Sequence, residues 1–417
     1  MEENGVRLIV RCIGSVALFA FSSQNAFATD SARCVANIEK VIADGSVPAK
    51  ATPLPSELSA KLDAAVRSAL PKTAAPGVIV GVVTPSGTWK AAYGKADPSA
   101  GTPMAVGMHT RIGSVTKTFT GTAIMQLAEA GKLSLDDEIQ KYVPGIPNGD
   151  RITLRQLADM TSGIASYTQS AKFQDVLFYK PQTIFTPKEL VAIGVAESPL
   201  FEPGASFNYS NTNTILLGMV MEQVTGKTVG EVFKEQIFDP LKLKNTSWPG
   251  DSVDLPVPYA QGFTLQGDFA KPDAPSNATN WNPSWGWTAG ELISNIDDLL
   301  VYARALGTGN GLLGAAAQKE RLTFPGAAGY GIGVGCIGGW VGHTGELPGY
   351  NTTLFYKAGA DIAAVVQTNS DIASGDCKAE PTLTDDPRDT VCSSPATRVF
   401  VAVSEALGQP YTPPNPH

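Results

Sequence analysis

Strand-like sequence occurs at both ends of this chain and helical sequence fills the middle, so a single sheet must be assembled from segments far apart in the chain. Apolar runs at 77–84 and 88–93 are joined by Pro85-Ser86-Gly87, the composition of a hairpin turn. Beyond Trp285, strand character returns at 330–334, 339–341, 351–356 and 362–367, before a terminal helix over 396–407. Between these ends, apolar residues recur at helical spacing over 116–133, 214–224 and 229–238, separated by loops containing Pro, Gly and Asn. The pattern predicts an α+β fold, an antiparallel sheet flanked by helices with an inserted, mostly helical domain. The sheet part is expected at about 56–115 and 285–410, and the helical part at about 116–284.

A chain of 417 residues with 43% hydrophobic and 17% charged residues has the composition of a protein with a large core, not of a disordered one. Its formal charge is -8 and it carries no long basic run, which excludes nucleic acid as a natural partner. Arg7 and Arg11, the apolar run from Ile13 to Phe21, and Ala26-Phe27-Ala28 read as an export leader over 1–28. A secreted or periplasmic location follows, with no integral membrane segment once the leader is removed. Cys12 leaves with the leader, so Cys34, Cys336, Cys377 and Cys392 remain as an even set in an oxidising compartment. Three pairings are open, and the short polar loop between Cys377 and Cys392 favours that pair. Pro48, Pro53 and Pro55 mark a linker over 29–55, after which Ser56 is expected to cap a helix through Leu58, Leu62, Val66 and Leu70. Residues 56–410 form the expected folded domain, with a disordered, Pro-rich tail over 411–417.

Ser114-Val115-Thr116-Lys117 puts a hydroxyl and an amine three residues apart at the predicted start of the 116–133 helix, where they share a face. A serine is a weak nucleophile without a neighbouring base, and a lysine supplies one if its surroundings lower its pKa. The free N–H groups of a helix start can also stabilise an oxyanion. Alone the motif is weak, because a helix-start serine is usually a cap. Two further elements add context: Tyr209-Ser210-Asn211 in a loop after Pro203-Gly204, and His343-Thr344-Gly345 in a predicted strand.

These three elements in this order resemble the penicillin-recognising serine hydrolases, the branch of D-alanyl-D-alanine carboxypeptidases and class C beta-lactamases. The resemblance runs from near Ser56 to the terminal helix and includes Arg111-Ile112-Gly113, Thr161-Ser162-Gly163 and Pro203-Gly204. It implies that Ser114 is acylated, that Lys117 activates it, and that Tyr209 is the general acid/base. It further implies that Asn211 holds a substrate carbonyl and that His343, Thr344 and Gly345 line the opposite wall. The backbone N–H of Glu346 would join that of Ser114 in the oxyanion hole. Trp285 reads evenly as a core residue or a cleft wall. Lys117 is expected to lower the Tyr209 phenol pKa.

The motif set as a whole implies a D-alanyl-D-alanine carboxypeptidase acting, as a monomer without cofactor or metal, on small-molecule or peptide substrates such as cell-wall peptides. Two departures favour uncharged esters or amides. No cation stands in 333–339 before His343, and Glu346 sets an acid beside the oxyanion hole, where it repels anionic substrates unless it turns away. An esterase or amidase, a D-aminopeptidase, a class C-like beta-lactamase and a non-catalytic penicillin-binding sensor are the alternatives. An α/β-hydrolase has no support, since Gly-x-Ser-x-Gly is absent. His109, His343 and His417 show no zinc spacing, and His109 is expected to be structural. The alternating Gly329, Gly331, Gly333 and Gly335 read as a closely packed strand, not a phosphate loop.

Overall fold

In the computed structural model, residues 34–414 are described apart from 268, 325, 327, 379 and 387. The expected leader, residues 29–33 of the expected linker, and the last three residues including His417 lie outside the described residues. The strands are β1 (Gly77–Thr84), β2 (Gly87–Asp97), β3 (Thr102–Pro103), β4 (Thr110–Arg111), β5 (Phe263–Thr264), β6 (Ser276–Asn277), β7 (Ile293–Ser294), β8 (Gly335–Ile337), β9 (Trp340–Leu347), β10 (Tyr350–Lys357) and β11 (Ile362–Thr368). Seven of them form one antiparallel sheet in the order β3-β2-β1-β11-β10-β9-β8. The sheet is therefore assembled from both chain ends, as the sequence pattern predicts, and its central pair joins Val78 to Thr368.

The helices are α1 (Ile38–Asp44), α2 (Ser56–Ala69), α3 (Thr116–Glu129), α4 (Leu154–Ala158), α5 (Ala171–Tyr179), α6 (Pro187–Val195), α7 (Asn211–Thr225), α8 (Val229–Phe233), α9 (Asp239–Leu241), α10 (Trp287–Gly290), α11 (Ile296–Thr308), α12 (Ala315–Arg321) and α13 (Pro395–Ala406). β1 is buried on both faces, which its continuous apolar run requires. Val78, Val80 and Val82 pack with Leu62 and Val66 of α2 and Val399, Phe400 and Val403 of α13. Ile79 and Val83 face the second core, with Ile296, Leu299 and Leu300 of α11. Gly81 lets α11 approach, since a Cβ there would meet Leu300 at 2.7 Å and Ile296 at 2.8 Å.

Several local expectations are corrected. Ser56 is the first residue of α2, not its cap; Pro55 occupies that place without a side-chain bond. The stretch before Ser56 is more than a linker: Val35, Ile38 and Val41 are buried, and Arg304 donates to Asp44 O at 2.6 Å. Cys34 is bonded to Cys336, and Cys377 to Cys392 as its short loop favours. Within the expected tail, Tyr411 is buried against Phe355 and Phe400, because an aromatic ring gains from covering the end of the α2/α13 core. Residues 330–334 are a turn, not a strand; Gly333 adopts φ +68 and presses on α3, and the stretch keeps one isolated bridge, Tyr330 to Gly335. Among the described residues, no helix is long and apolar enough to cross a membrane.

Candidate active site

Ser114 lies in a 3-10 turn, Gly113–Val115, that runs directly into α3. Lys117, one turn on, is 1% exposed, and its Nζ is 3.0 Å from Ser114 Oγ. The same Nζ donates to Ala289 O at 2.7 Å. Burial pushes the amine well below its ordinary pKa and so favours the uncharged base that a serine needs. The segment carrying Ala289 is braced against the Lys117 helix: Thr120 Oγ1 donates to Thr288 O at 2.8 Å, and Leu292 N donates to Thr116 Oγ1 at 3.2 Å.

Tyr209 is brought to the same point from the loop before α7. Its ring lies 4.9 Å from Lys117 Nζ, and its hydroxyl meets Ser114. Here the structure reverses one expectation. Burial raises the phenol pKa above its ordinary value, and the hydrogen bond to Ser114 only partly offsets this. Burial outweighs the lowering contact, so Tyr209 keeps its proton. The loop is held from below by Met160, a non-glycine residue at φ +65, whose carbonyl accepts from Asn208 N at 3.0 Å and whose Sδ accepts from Ser210 N at 3.5 Å.

Asn211 opens α7, buried beside Ser166 and Thr168, with Nδ2 3.3 Å from Ser166 Oγ and 3.0 Å from Thr168 Oγ1. Trp285 is half-buried and packs its edge on Phe173 at 5.9 Å, while its carbonyl accepts from Tyr167 Oη. It thereby joins the helical core to the Ala289 segment. His109 is structural, with Nδ1 3.0 Å from Pro258 O.

The opposite wall is β9. β8 pairs with Trp340, Val341 and Gly342 alone, so among the described residues His343 to Leu347 have no strand beside them on that side. Gly345 packs backbone to backbone on the Ser114 turn: a Cβ there would come within 1.9 Å of Ile112 O and 3.0 Å of Ser114 N. Gly113, at φ +53, is equally tight, with its Cβ position 2.6 Å from Glu346 N. These contacts bring the backbone at Glu346 against the Ser114 turn, the closeness that an oxyanion hole built from their two amides would need. Glu346 and Thr344 share the other face of β9 with Asn351. Glu346 Oε2 accepts from Asn351 Nδ2 at 3.3 Å, and burial, with Asp371 and Glu380 near, pushes the carboxyl well above its ordinary pKa. The acid therefore turns away from the Ser114 turn and favours its neutral form, which removes the expected repulsion.

His343 is 2% exposed, and its pKa is pushed down to about 3 by burial and by Lys117, so the ring is neutral. Nε2 meets Tyr330 Oη at 3.0 Å, and Nδ1 meets Thr344 O. The sequence reading missed Tyr330, Met160, Ser166, Thr168 and Ala289. Ala289 acts through a carbonyl, which no residue type advertises, whereas Ser166 and Thr168 follow the Thr161-Ser162-Gly163 segment closely enough to have been flagged. A separate cavity of about 300 Å³, between Val83, Leu241, Leu300 and Val301, shares no residue with this site.

Comparison with known proteins agrees with this geometry. The Beta-lactamase family model matches residues 62–385. A Bacillus subtilis (strain 168) protein named for penicillin binding, PbpX, is 27% identical over 266 residues, 62% of each chain. Protein flp of Staphylococcus aureus (strain MW2) is 33% identical over 161 residues, 37% of this chain and 31% of flp. The matches thus span less than two thirds of these relatives' own lengths. Among solved structures, a D-stereospecific amidohydrolase from a Streptomyces species is 32% identical with a TM-score of 0.68, covering 75% of this chain and 94% of its own. The D-amino acid amidase of Ochrobactrum anthropi SV3 shares the fold at 23% identity, with a TM-score of 0.71 and coverage of 85% and 99%. With the family model extending from α2 almost to α13, this chain belongs to the Beta-lactamase family and is a serine hydrolase of the penicillin-recognising superfamily.

Proposed function

We propose that this chain is an exported amidohydrolase that acylates Ser114 with D-amino-acid or peptide acyl groups and releases neutral amine or alcohol leaving groups in preference to free amino acids. The observation that carries this reading is the buried Lys117 amine 3.0 Å from Ser114 Oγ. Ser114 Oγ gives its proton to the Lys117 lone pair and attacks the carbonyl carbon, while the amides of Ser114 and Glu346 take up the oxyanion. As the tetrahedral species collapses, Tyr209, still carrying its proton, gives it to the departing group and recovers one from Lys117. Water then repeats the cycle on the ester. Asn211 and β9 hold the acyl chain, and Trp285 supports the Ala289 segment. One chain supplies every group in this scheme, so a monomer suffices.

The leaving-group preference rests on charge. Lys117 and His343 both favour their neutral forms, so neither offers a cation to a terminal carboxylate. The D-stereospecific activity in the name of the Streptomyces relative supports the D-configured acyl group. A D-alanyl-D-alanine carboxypeptidase is the second reading, favoured by the order of the three motifs and by the likeness to PbpX. Intact-mass measurement after exposure to an activated ester and to penicillin tests the acyl-enzyme: one adduct is expected on the native chain and none on Ser114→Ala. An adduct on the variant would place the nucleophile elsewhere. Hydrolysis of a D-alanyl-D-alanine peptide against its C-terminal amide tests the preference; faster turnover of the free acid would establish the carboxypeptidase reading instead.

A further inference from the structure

We propose that Tyr330 is a positioning residue of this site, whose hydroxyl at Nε2, together with Thr344 O at Nδ1, holds His343 as the Nδ1–H tautomer and keeps an uncharged ring beside Lys117 and Tyr209. A backbone carbonyl only accepts, so the contact between His343 Nδ1 and Thr344 O places the ring proton on Nδ1. Nε2 is then an acceptor, and Tyr330 Oη, 3.0 Å away, donates to it. The depressed basicity of the buried ring agrees with this assignment. Among the described residues, the titratable groups that face His343 include Lys117 from α3, Tyr209 from the loop before α7, and Tyr330 from the turn before β8. An imidazolium here would set a second charge against Lys117, which must lose its own proton to work.

The placement of Tyr330 is as constrained as its bond. Its turn is closed by Gly331 N donating to Val334 O at 2.8 Å and is tied to α4 by Gly333 N donating to Ala158 O at 3.1 Å. A Cβ on Gly333 would meet Lys117 O at 2.5 Å, so the turn rests on the same helical turn that carries the base. Tyr330 also stands edge-on to both neighbouring rings, at 90° to Tyr209 and 87° to His343. It therefore packs against a ring from each side of the site, and the hydrophobic cluster of Met160, Tyr209 and Tyr330 buries the arrangement.

The tautomer is read without substrate, so this inference stands or falls apart from the acyl-enzyme reading. Long-range proton–nitrogen spectra of histidine-labelled protein should show His343 with the Nδ1–H pattern, unchanged from pH 5 to 8. In Tyr330→Phe, His343 should titrate in that range or populate the Nε2–H form. The kcat for an activated ester should then fall about tenfold or more with KM nearly unchanged, the mark of misplaced rather than missing groups. An Nε2–H pattern or a titrating His343 in the native protein overturns the proposal even if the variant does not fold. A folded Tyr330→Phe with the native tautomer and kcat overturns it equally.

Discussion

Burial favours the uncharged form of Lys117, and that condition costs stability. Its folded pKa is depressed, so between that pKa and the ordinary value the unfolded chain binds a proton that the folded one does not. Stability contributed at this position rises as pH climbs from the folded pKa towards the ordinary 10.5 and is lost as pH falls. Lys117→Met should therefore raise the Tm at pH 7 while cutting acylation by ~100-fold or more. Thermal scans and burst kinetics on the same preparation check both; a Tm below the native value would contradict the sign. That Ser114, Lys117, Tyr209 and His343 would meet was legible from the order of their three motifs, since each residue alone reads as an ordinary cap, loop or strand side chain. The protonation of Tyr209 was not, because burial outweighs any charge that a linear sequence can suggest. Nor was the direction of the Glu346 side chain, which depends on pairing with Asn351 across β9 and β10.

Among the elements, regular ones were readable and close approaches were not. Valines at 78, 80 and 82 alternate with a second apolar face, and helical spacing located α3, α7 and α13. The glycine-rich stretch 329–335 misled, since alternating glycines suit a strand as well as a turn laid against α3; the positive φ of Gly329 and Gly333 separates the two. Gly345 shows the same physics in its functional form. Gly345→Ala must push β9 from the Ser114 turn, because the added carbon lies 1.9 Å from Ile112 O. Activity should fall by ~100-fold or more, as expected when reacting groups are misplaced by about 1 Å. Circular dichroism and acylation rates make the check: native spectra with native rates would mean that the two backbones are not held by this contact.

For the whole molecule, the α+β plan was visible because strand character marks both ends, but the role of residues 34–44 was not, since one short helix becomes structural only through its partners. The Cys34–Cys336 bond closes 302 residues of chain and fixes that segment to the strand beside β9. Replacing both cysteines with serine should lower unfolding free energy by about 2–5 kcal/mol. Urea titration of the double variant measures it, and an unchanged midpoint would show that packing of α1 alone holds the segment. The pairing of β1 with β11 carries a consequence for synthesis. A ribosome delivers β1 nearly three hundred residues before its central partner, and until then one edge of the β1–β2 hairpin has nothing to bond. The helical part can gather its own core during that interval, yet the sheet, and with it the contact between β9 and the Ser114 turn, waits for the last strand. Any product of interrupted translation that stops short of β11 is thus left with an open sheet edge, material for proteases and not a weakened hydrolase.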